Sequence, residues 1–184
     1  MYSKKMVPEI EEYILKIAEE DKKSLAMLYE ETKTAVYGFA LSILKNSMDA
    51  EDIMQEVYLK IYENADKYEK QGKPLAWILT ITKNLSYLKI KNNKKVEVNI
   101  KEIEDVDQKE IIDENKMILN LAFKCLTDEE RNIIILHSNS GFKHREISKI
   151  LEMPLSTVLS KYNRAMKKLK KEIIKEVEKW KIMK

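Results

Sequence analysis

Apolar residues recur along most of this chain at intervals of three and four, and almost nowhere at intervals of two. Leu25, Leu28, Tyr29, Thr32, Val36, Phe39, Ala40 and Ile43 form one inward stripe, which predicts a long amphipathic helix stopping near Lys45-Asn46-Ser47. Asp49 is placed to cap a second helix, running to about Asn64 and burying Ile53, Val57 and Ile61. Lys67–Lys73 contains Gly72 and precedes Pro74, so it reads as a loop. Pro74 suits the first turn of a third helix reaching about Lys91, and Asn92-Asn93-Lys94-Lys95 closes the unit.

Val96–Gln108 is acid-rich without a period, the pattern of a linker. Ile111, Ile118, Leu121, Ala122 and Cys125 then start a new helical stripe. Thr127 with Glu130 three residues on is a capping box, opening a helix through Leu136. A short helix around His144–Leu151, a turn holding Pro154 and a helix from Ser156 to the C-terminal end follow. The expected fold class is all-α. Two small helical domains, residues 1–95 and 113–184, are joined by a flexible acidic linker over residues 96–112.

Composition narrows the function. Hydrophobic residues make up 44 %, ordinary for a folded domain, and no apolar run approaches the ~20 residues that span a bilayer. The opening MYSKKMVPEIEEYI is charged where a signal peptide is apolar, so a cytoplasmic protein without membrane insertion is expected. A lone cysteine, Cys125, makes no internal disulfide and reads as a small core residue. His137 and His144 lack partners at metal-ligand spacing, and Gly-rich phosphate loops, nucleophile elbows and zinc signatures are absent from the sequence. No catalytic residue, cofactor or metal site is expected.

Charge carries more. The net charge is +3, yet residues 1–70 hold 10 Lys/Arg against 15 acids, and residues 71–96 hold six Lys and no acid. Residues 97–136 hold 5 against 11, and residues 137–184 hold 13 against 5. Two basic segments on an otherwise acidic chain suggest two contacts with a polyanion.

The second basic segment contains Phe142-Lys-His-Arg-Glu-Ile-Ser-Lys-Ile-Leu-Glu-Met-Pro-Leu-Ser-Thr-Val-Leu-Ser-Lys-Tyr-Asn-Arg-Ala, the pattern of a helix-turn-helix. Ile147, Ile150 and Leu151 are expected to pack on Val158, Tyr162 and Ala165, with Ser148 permitting close approach and Met153-Pro154 making the bend. Ser156 is placed to cap the second helix, leaving N–H groups for a phosphate. Thr157, Leu159, Ser160, Asn163, Arg164 and Lys167 then point outward, with Lys161 beside them, as a face for the major groove.

Three stretches in order resemble one family. Asp49-Ala-Glu-Asp-Ile-Met-Gln-Glu-Val-Tyr-Leu resembles the DAED-L-x-QE-x-F-L helix of bacterial RNA polymerase sigma factors. Ala76-Trp-Ile-Leu-Thr-Ile-Thr-Lys-Asn-Leu is similar to their AWL-x-x-IARNL helix. Leu126-Thr-Asp-Glu-Glu-Arg leads into the helix-turn-helix as LP-x-x-x-R does there. The match runs over roughly Leu25–Leu169, and the short linker without an intermediate domain points to the extracytoplasmic-function subgroup.

The resemblance implies roles residue by residue. Asp52, Gln55, Glu56 and Leu59, at i, i+3, i+4 and i+7, would grip core RNA polymerase. The loop Tyr68–Lys73 would capture a flipped base of melted promoter DNA, Tyr68 as stacking platform and Lys73 as phosphate partner. Lys83 and Asn84 would extend that contact; Trp77 is open between core residue and base wedge. The second domain would read upstream duplex promoter DNA, and an anti-sigma factor is an expected partner. Two departures stand out: Leu88 where the family often has Asp, and Leu159 where it often has a long basic side chain. Leucine can touch a thymine methyl and cannot bond guanine, so the second departure bears on the sequence read. A dimeric helix-turn-helix regulator leaves the Asp49–Leu59 and Ala76–Leu85 motifs unexplained, and a protein-only helical adaptor leaves the two basic segments unexplained.

Overall fold

The computed structural model describes residues 6–70, 72–96 and 124–182. Helix α1, Met6–Ala18, was not anticipated as a separate element; its Ile10, Ile14 and Ile17 are buried at helical spacing. Helix α2, Lys22–Leu44, starts at Asp21, whose carboxylate accepts from Lys23 N at 3.0 Å and from Ser24 Oγ at 2.8 Å. It buries Leu28, Thr32, Val36, Phe39, Ala40 and Ile43 of the expected stripe and ends at Lys45, in the left-handed region at φ 61°.

Helix α3, Ser47–Asn64, corrects the cap: Asn46, not Asp49, closes it, with its side chain accepting from Asp49 N at 3.0 Å. Asp49 lies in the first turn instead, where a negative charge also suits the helix dipole. After a 3-10 turn at Ala65–Lys67 and a loop with Gly72 at φ 65°, helix α4 runs Pro74–Val96. It thus carries through Asn92–Lys95, which were expected to end the unit. Helix α2 is the hub, packed against α1, α3 and α4. Thr32 Oγ1 donates to Leu28 O at 2.6 Å and accepts from Tyr58 OH at 2.8 Å, tying α2 to α3 inside the core.

The expected linker and the Ile111–Ala122 stripe lie outside the described residues. Helix α5, Asp128–Ser138, has the anticipated capping box: Glu130 N lies 3.4 Å from Thr127 Oγ1, and Thr127 N lies 3.0 Å from Glu130 Oε2. Helix α6 is His144–Ile150 and helix α7 is Leu155–Ile182. Val158 N bonds Pro154 O at 3.1 Å, so α7 begins one residue earlier than expected and Ser156 sits in its first turn instead of capping it. Ile147, Ile150, Leu151 and Val158 pack in one buried cluster, while Ala165 sits in a second with Leu126, Ile134 and Leu169. Ser148 is half-buried, and its hydroxyl bonds back to Arg145 O at 2.9 Å. Among the described residues there is no strand.

The halves also meet, which the sequence reading did not address. Helix α5 is buried on two sides, with Ile133 and Leu136 in the same cluster as Phe39 and Val36, and Ile134 in the cluster facing α7. The two helical halves pack on each other, α5 on α2 and α6 on α4. The run Ile133-Ile134-Ile135-Leu136 carried that signal, since a helix apolar all round is enclosed all round. Gly38 lets α5 come close, because a Cβ there would stand 3.2 Å from Asn139 Nδ2.

Candidate polymerase and nucleic-acid interfaces

Helix α3 presents Asp52, Gln55, Glu56 and Leu59 to solvent on one side, opposite its buried Ile53, Val57 and Ile61. Leu59, 62 % exposed, is an apolar side chain with no intramolecular reason to face water. Lys89 of α4 clamps the start of this face, 2.8 Å from Asp49 and 2.9 Å from Asp52. Partial burial pushes the Lys89 ammonium down, but the two carboxylates outweigh it and hold it above its ordinary value. The arrangement leaves Gln55, Glu56 and Leu59 free to meet a partner.

The residues expected to meet melted DNA are dispersed in environment. Asn84 and Lys73 are exposed. Tyr68 is only 8 % exposed, its hydroxyl donates to Glu11 Oε1 at 2.8 Å, and its ring meets Trp77 edge-on at 5.1 Å between centroids. Glu11 also accepts from Gly72 N at 3.0 Å, so a buried acid of α1 pins both ends of this loop. Trp77 is half-buried, belonging partly to the core and partly to a cavity of about 330 Å³. Lys67, Tyr68, Lys73 and Thr80 line one side of that cavity; Glu146, Lys149 and Ile150 of the α6 side close it.

Lys83 holds the least expected position. It is 6 % exposed, and its ammonium lies 2.6 Å from Glu152 Oε1 across the interface between the halves. Lys73 Nζ lies 3.2 Å from Glu146 Oε1 in the same interface. Lys83 holds the Glu152 carboxyl below its ordinary value. Burial pushes the Glu146 carboxyl up, but the Lys143 amide and the Lys73 ammonium outweigh it and keep it low. Glu152 adopts φ 55°, the left-handed conformation that Gly or Asn ordinarily fills after a helix, at a cost of roughly 1–2 kcal/mol. That turn carries the carboxylate out of α6 toward α4.

A second polar contact lies where α5 meets α2. Arg131, 3 % exposed, donates to Ser42 O at 3.2 Å, to Leu126 O at 3.2 Å and to Asp128 Oδ1 at 3.0 Å. Ser42 O belongs to the last turn of α2, where carbonyls have no helical partner, so Arg131 caps one domain's helix from the other. Lys45 adds an ion pair to Asp128 at 2.8 Å, and the Asn132 side chain lies 2.9 Å from Ser42 Oγ. Arg131 closes the Leu126–Arg131 motif, but neither its reach to Ser42, 89 residues away, nor the pairing of Glu152 with Lys83, 69 residues away, is written in any local pattern.

On α7, Leu159, Ser160, Asn163, Arg164 and Lys167 are exposed as expected, with Ser156 exposed and Thr157 half-buried at the helix start. Lys161 is different: it is half-buried and paired with Glu129 of α5, so it braces the helix and does not share the outward face. Behind that face His137 and His144 stack at 4.7 Å, and Tyr162 meets both rings edge-on at 4.9 and 4.5 Å. His137 Nδ1 donates to Phe142 O at 2.8 Å, whereas His144 Nε2 is buried without a hydrogen-bond partner. Burial, then the neighbouring His137, depresses the His144 pKa. Among the described residues no group of three or more His, Cys, Asp and Glu could hold a metal, and no helix is long and apolar enough to cross a membrane.

Comparison with known proteins gives two family matches in chain order. Residues 28–96 match the model for Sigma-70 region 2, and residues 116–169 match that for Sigma-70, region 4. The extracytoplasmic-function RNA polymerase sigma factor SigK of Mycobacterium bovis BCG is 28 % identical over 173 residues, covering 88 % of this chain and 92 % of the relative. SigK of Mycobacterium ulcerans is 28 % identical over 165 residues, covering 84 % of this chain and 88 % of its own. In structure, the chain resembles the sigma factor RpoE of Bartonella quintana, solved with the anti-sigma factor NepR, at TM-score 0.68 and 24 % identity. That likeness covers 81 % of this chain and 96 % of the other. CnrH, solved with the cytosolic domain of CnrY, gives TM-score 0.65 at 16 % identity, covering 90 % and 97 %.

Proposed function

The chain belongs to the extracytoplasmic-function sigma factors of RNA polymerase, and we propose that it initiates transcription by three separate surfaces assigned to named residues. The observation that carries the reading is the presence of both sigma regions, in order, on one chain. Residues 1–95 form the unit that docks on core polymerase and opens DNA, residues 96–112 connect, and residues 113–184 read upstream duplex.

Asp52, Gln55, Glu56 and Leu59 bind core polymerase. Their shared exposure on α3, around an apolar side chain, supports a protein-docking role over a merely solvated face. Lys73, Trp77, Lys83 and Asn84 contact melted promoter DNA, Trp77 by stacking and the lysines through phosphate. Tyr68 joins them from the cavity wall once Glu11 releases it; in the packed arrangement its hydroxyl is engaged. Ser156, Thr157, Leu159, Ser160, Asn163, Arg164 and Lys167 meet upstream duplex, and Lys161 orients α7 for them through Glu129. The partners are core RNA polymerase and promoter DNA, with an anti-sigma factor as regulator, as the similar RpoE of Bartonella quintana was solved with one. Sigma factors are non-catalytic, so the chemistry belongs to polymerase. The dimeric regulator is not favoured, since region 2 has no place in it.

Run-off transcription with purified core polymerase on genomic fragments tests the function. Discrete, chain-dependent starts are expected. Binding of DNA without polymerase, as a homodimer, would overturn it.

A further inference from the structure

Two of the lysines assigned above to melted DNA, Lys73 and Lys83, each pair with a carboxylate of the other domain, Lys83 buried and Lys73 still half in solvent. We propose that the α6 corner, through Glu146 and Glu152, is a built-in competitor for the promoter strand, occupying Lys73 and Lys83, just before and within α4, where phosphates would sit. The inference rests on the assignment of Lys73 and Lys83 to melted DNA.

Four observations converge on it. The two acids sit on either side of α6, at its first turn and just past its end; Glu146 reaches Lys73, just before α4, and Glu152 reaches Lys83 within it. A lysine is rarely buried unless paired, and Lys83 is nearly closed off by the contact while Glu152 stays in solvent. The backbone at Glu152 is in a left-handed conformation that a glycine would adopt without strain, yet the position carries a charge directed at α4. Finally, Glu146, Lys149 and Ile150 line the cavity that Trp77 and Tyr68 also line, so the same corner that pairs with the lysines narrows the approach to the aromatic wall. Helices α4 and α6 also meet without direct backbone bonding, so the contact can part without unfolding either helix.

The equilibrium follows simple arithmetic. If only the undocked fraction binds a strand, apparent affinity falls by that fraction. Ion pairs of this kind, partly exposed, are weak individually, so losing both should raise strand affinity about three- to tenfold.

The test uses the full chain and a fluorescent single-stranded oligodeoxynucleotide, titrated at fixed salt. Glu146→Gln with Glu152→Gln should bind it about three- to tenfold more tightly than wild type. Glu30→Gln with Glu63→Gln, which removes two acids from pairs within α2 and α3, makes the same change in net charge and should not. Trp77 emission, read in a Trp180→Phe background, should shift to the red in the first double variant only. Lys73→Gln with Lys83→Gln separates the two ideas. If it lowers affinity while the Glu146/Glu152 variant changes nothing, the competitor is refuted and the DNA assignment stands. If it lowers nothing, the DNA assignment itself fails. Equal gains from both acid-removing variants would also refute the competitor, leaving general charge as the cause.

Discussion

Arg131 is the side chain whose loss should be felt most widely. Its guanidinium is buried and satisfies two carbonyls, Ser42 O at the end of α2 and Leu126 O before α5, besides pairing with Asp128. Arg131→Met keeps most of the aliphatic volume and removes every donor. Asp128 keeps Lys45 as a partner, so the main cost is two buried carbonyls without hydrogen bonds. Each costs about 1–3 kcal/mol, so the variant should lose about 2–6 kcal/mol, a large share of the 5–15 kcal/mol of a typical domain. Urea unfolding followed by circular dichroism measures this, with the slope of the transition compared as well as its midpoint. Arg131→Lys should fall between, since a single Nζ has to replace two guanidinium nitrogens that reach different carbonyls. A loss below about 1 kcal/mol would mean that water already reaches these carbonyls. The docking of α5 on α2 would then not hold in solution.

Other outcomes follow from single contacts. His144 is held neutral by burial and by His137, with Tyr162 of α7 as its other neighbour, so the unfolded chain takes up a proton first as pH falls. Stability should therefore be highest above about pH 6.5, decline as pH drops through the depressed folded value, and do so less in His144→Phe; equal slopes would refute it. Because Asp128, Glu130, Glu146 and Glu152 are all held low, a separate loss should set in below about pH 4.5 and grow with further acid. Gln55→Ala with Glu56→Lys should weaken core polymerase binding without loss of helicity; unchanged affinity would leave α3 a solvated face. Leu159→Arg should shift base preference at one or two upstream positions by about 1–3 kcal/mol, read by selection from a randomised element, whereas Arg164→Ala should weaken binding with a shallower salt dependence. Identical selected sequences would show that Leu159 does not face the groove.

The helices were legible because their evidence is local. The stripe from Leu28 to Ile43, the stop at Lys45, the Thr127–Glu130 box and the turn at Pro154 each lie within a few residues of what they determine. So was the outward face of Gln55, Glu56 and Leu59, fixed by its register against Ile53 and Val57. Caps were off where two polar residues competed: Asn46 and Asp49 both suit the start of α3, and only backbone geometry decides between them.

What the sequence by itself determined is therefore which side of each helix is apolar, and with it an all-α chain carrying a helix-turn-helix and a basic third helix. What only the tertiary structure decided is which charges meet. Lys83 reads as one more lysine of a basic segment, but docking of α6 on α4 buries it against Glu152, 69 residues away in sequence. Lys161 reads as part of the outward face, but the crossing of α7 over α5 turns it to Glu129. Periodicity records burial on a helix because the partner need only be apolar; an ion pair needs one particular partner at one distance, and that is set by how the helices cross.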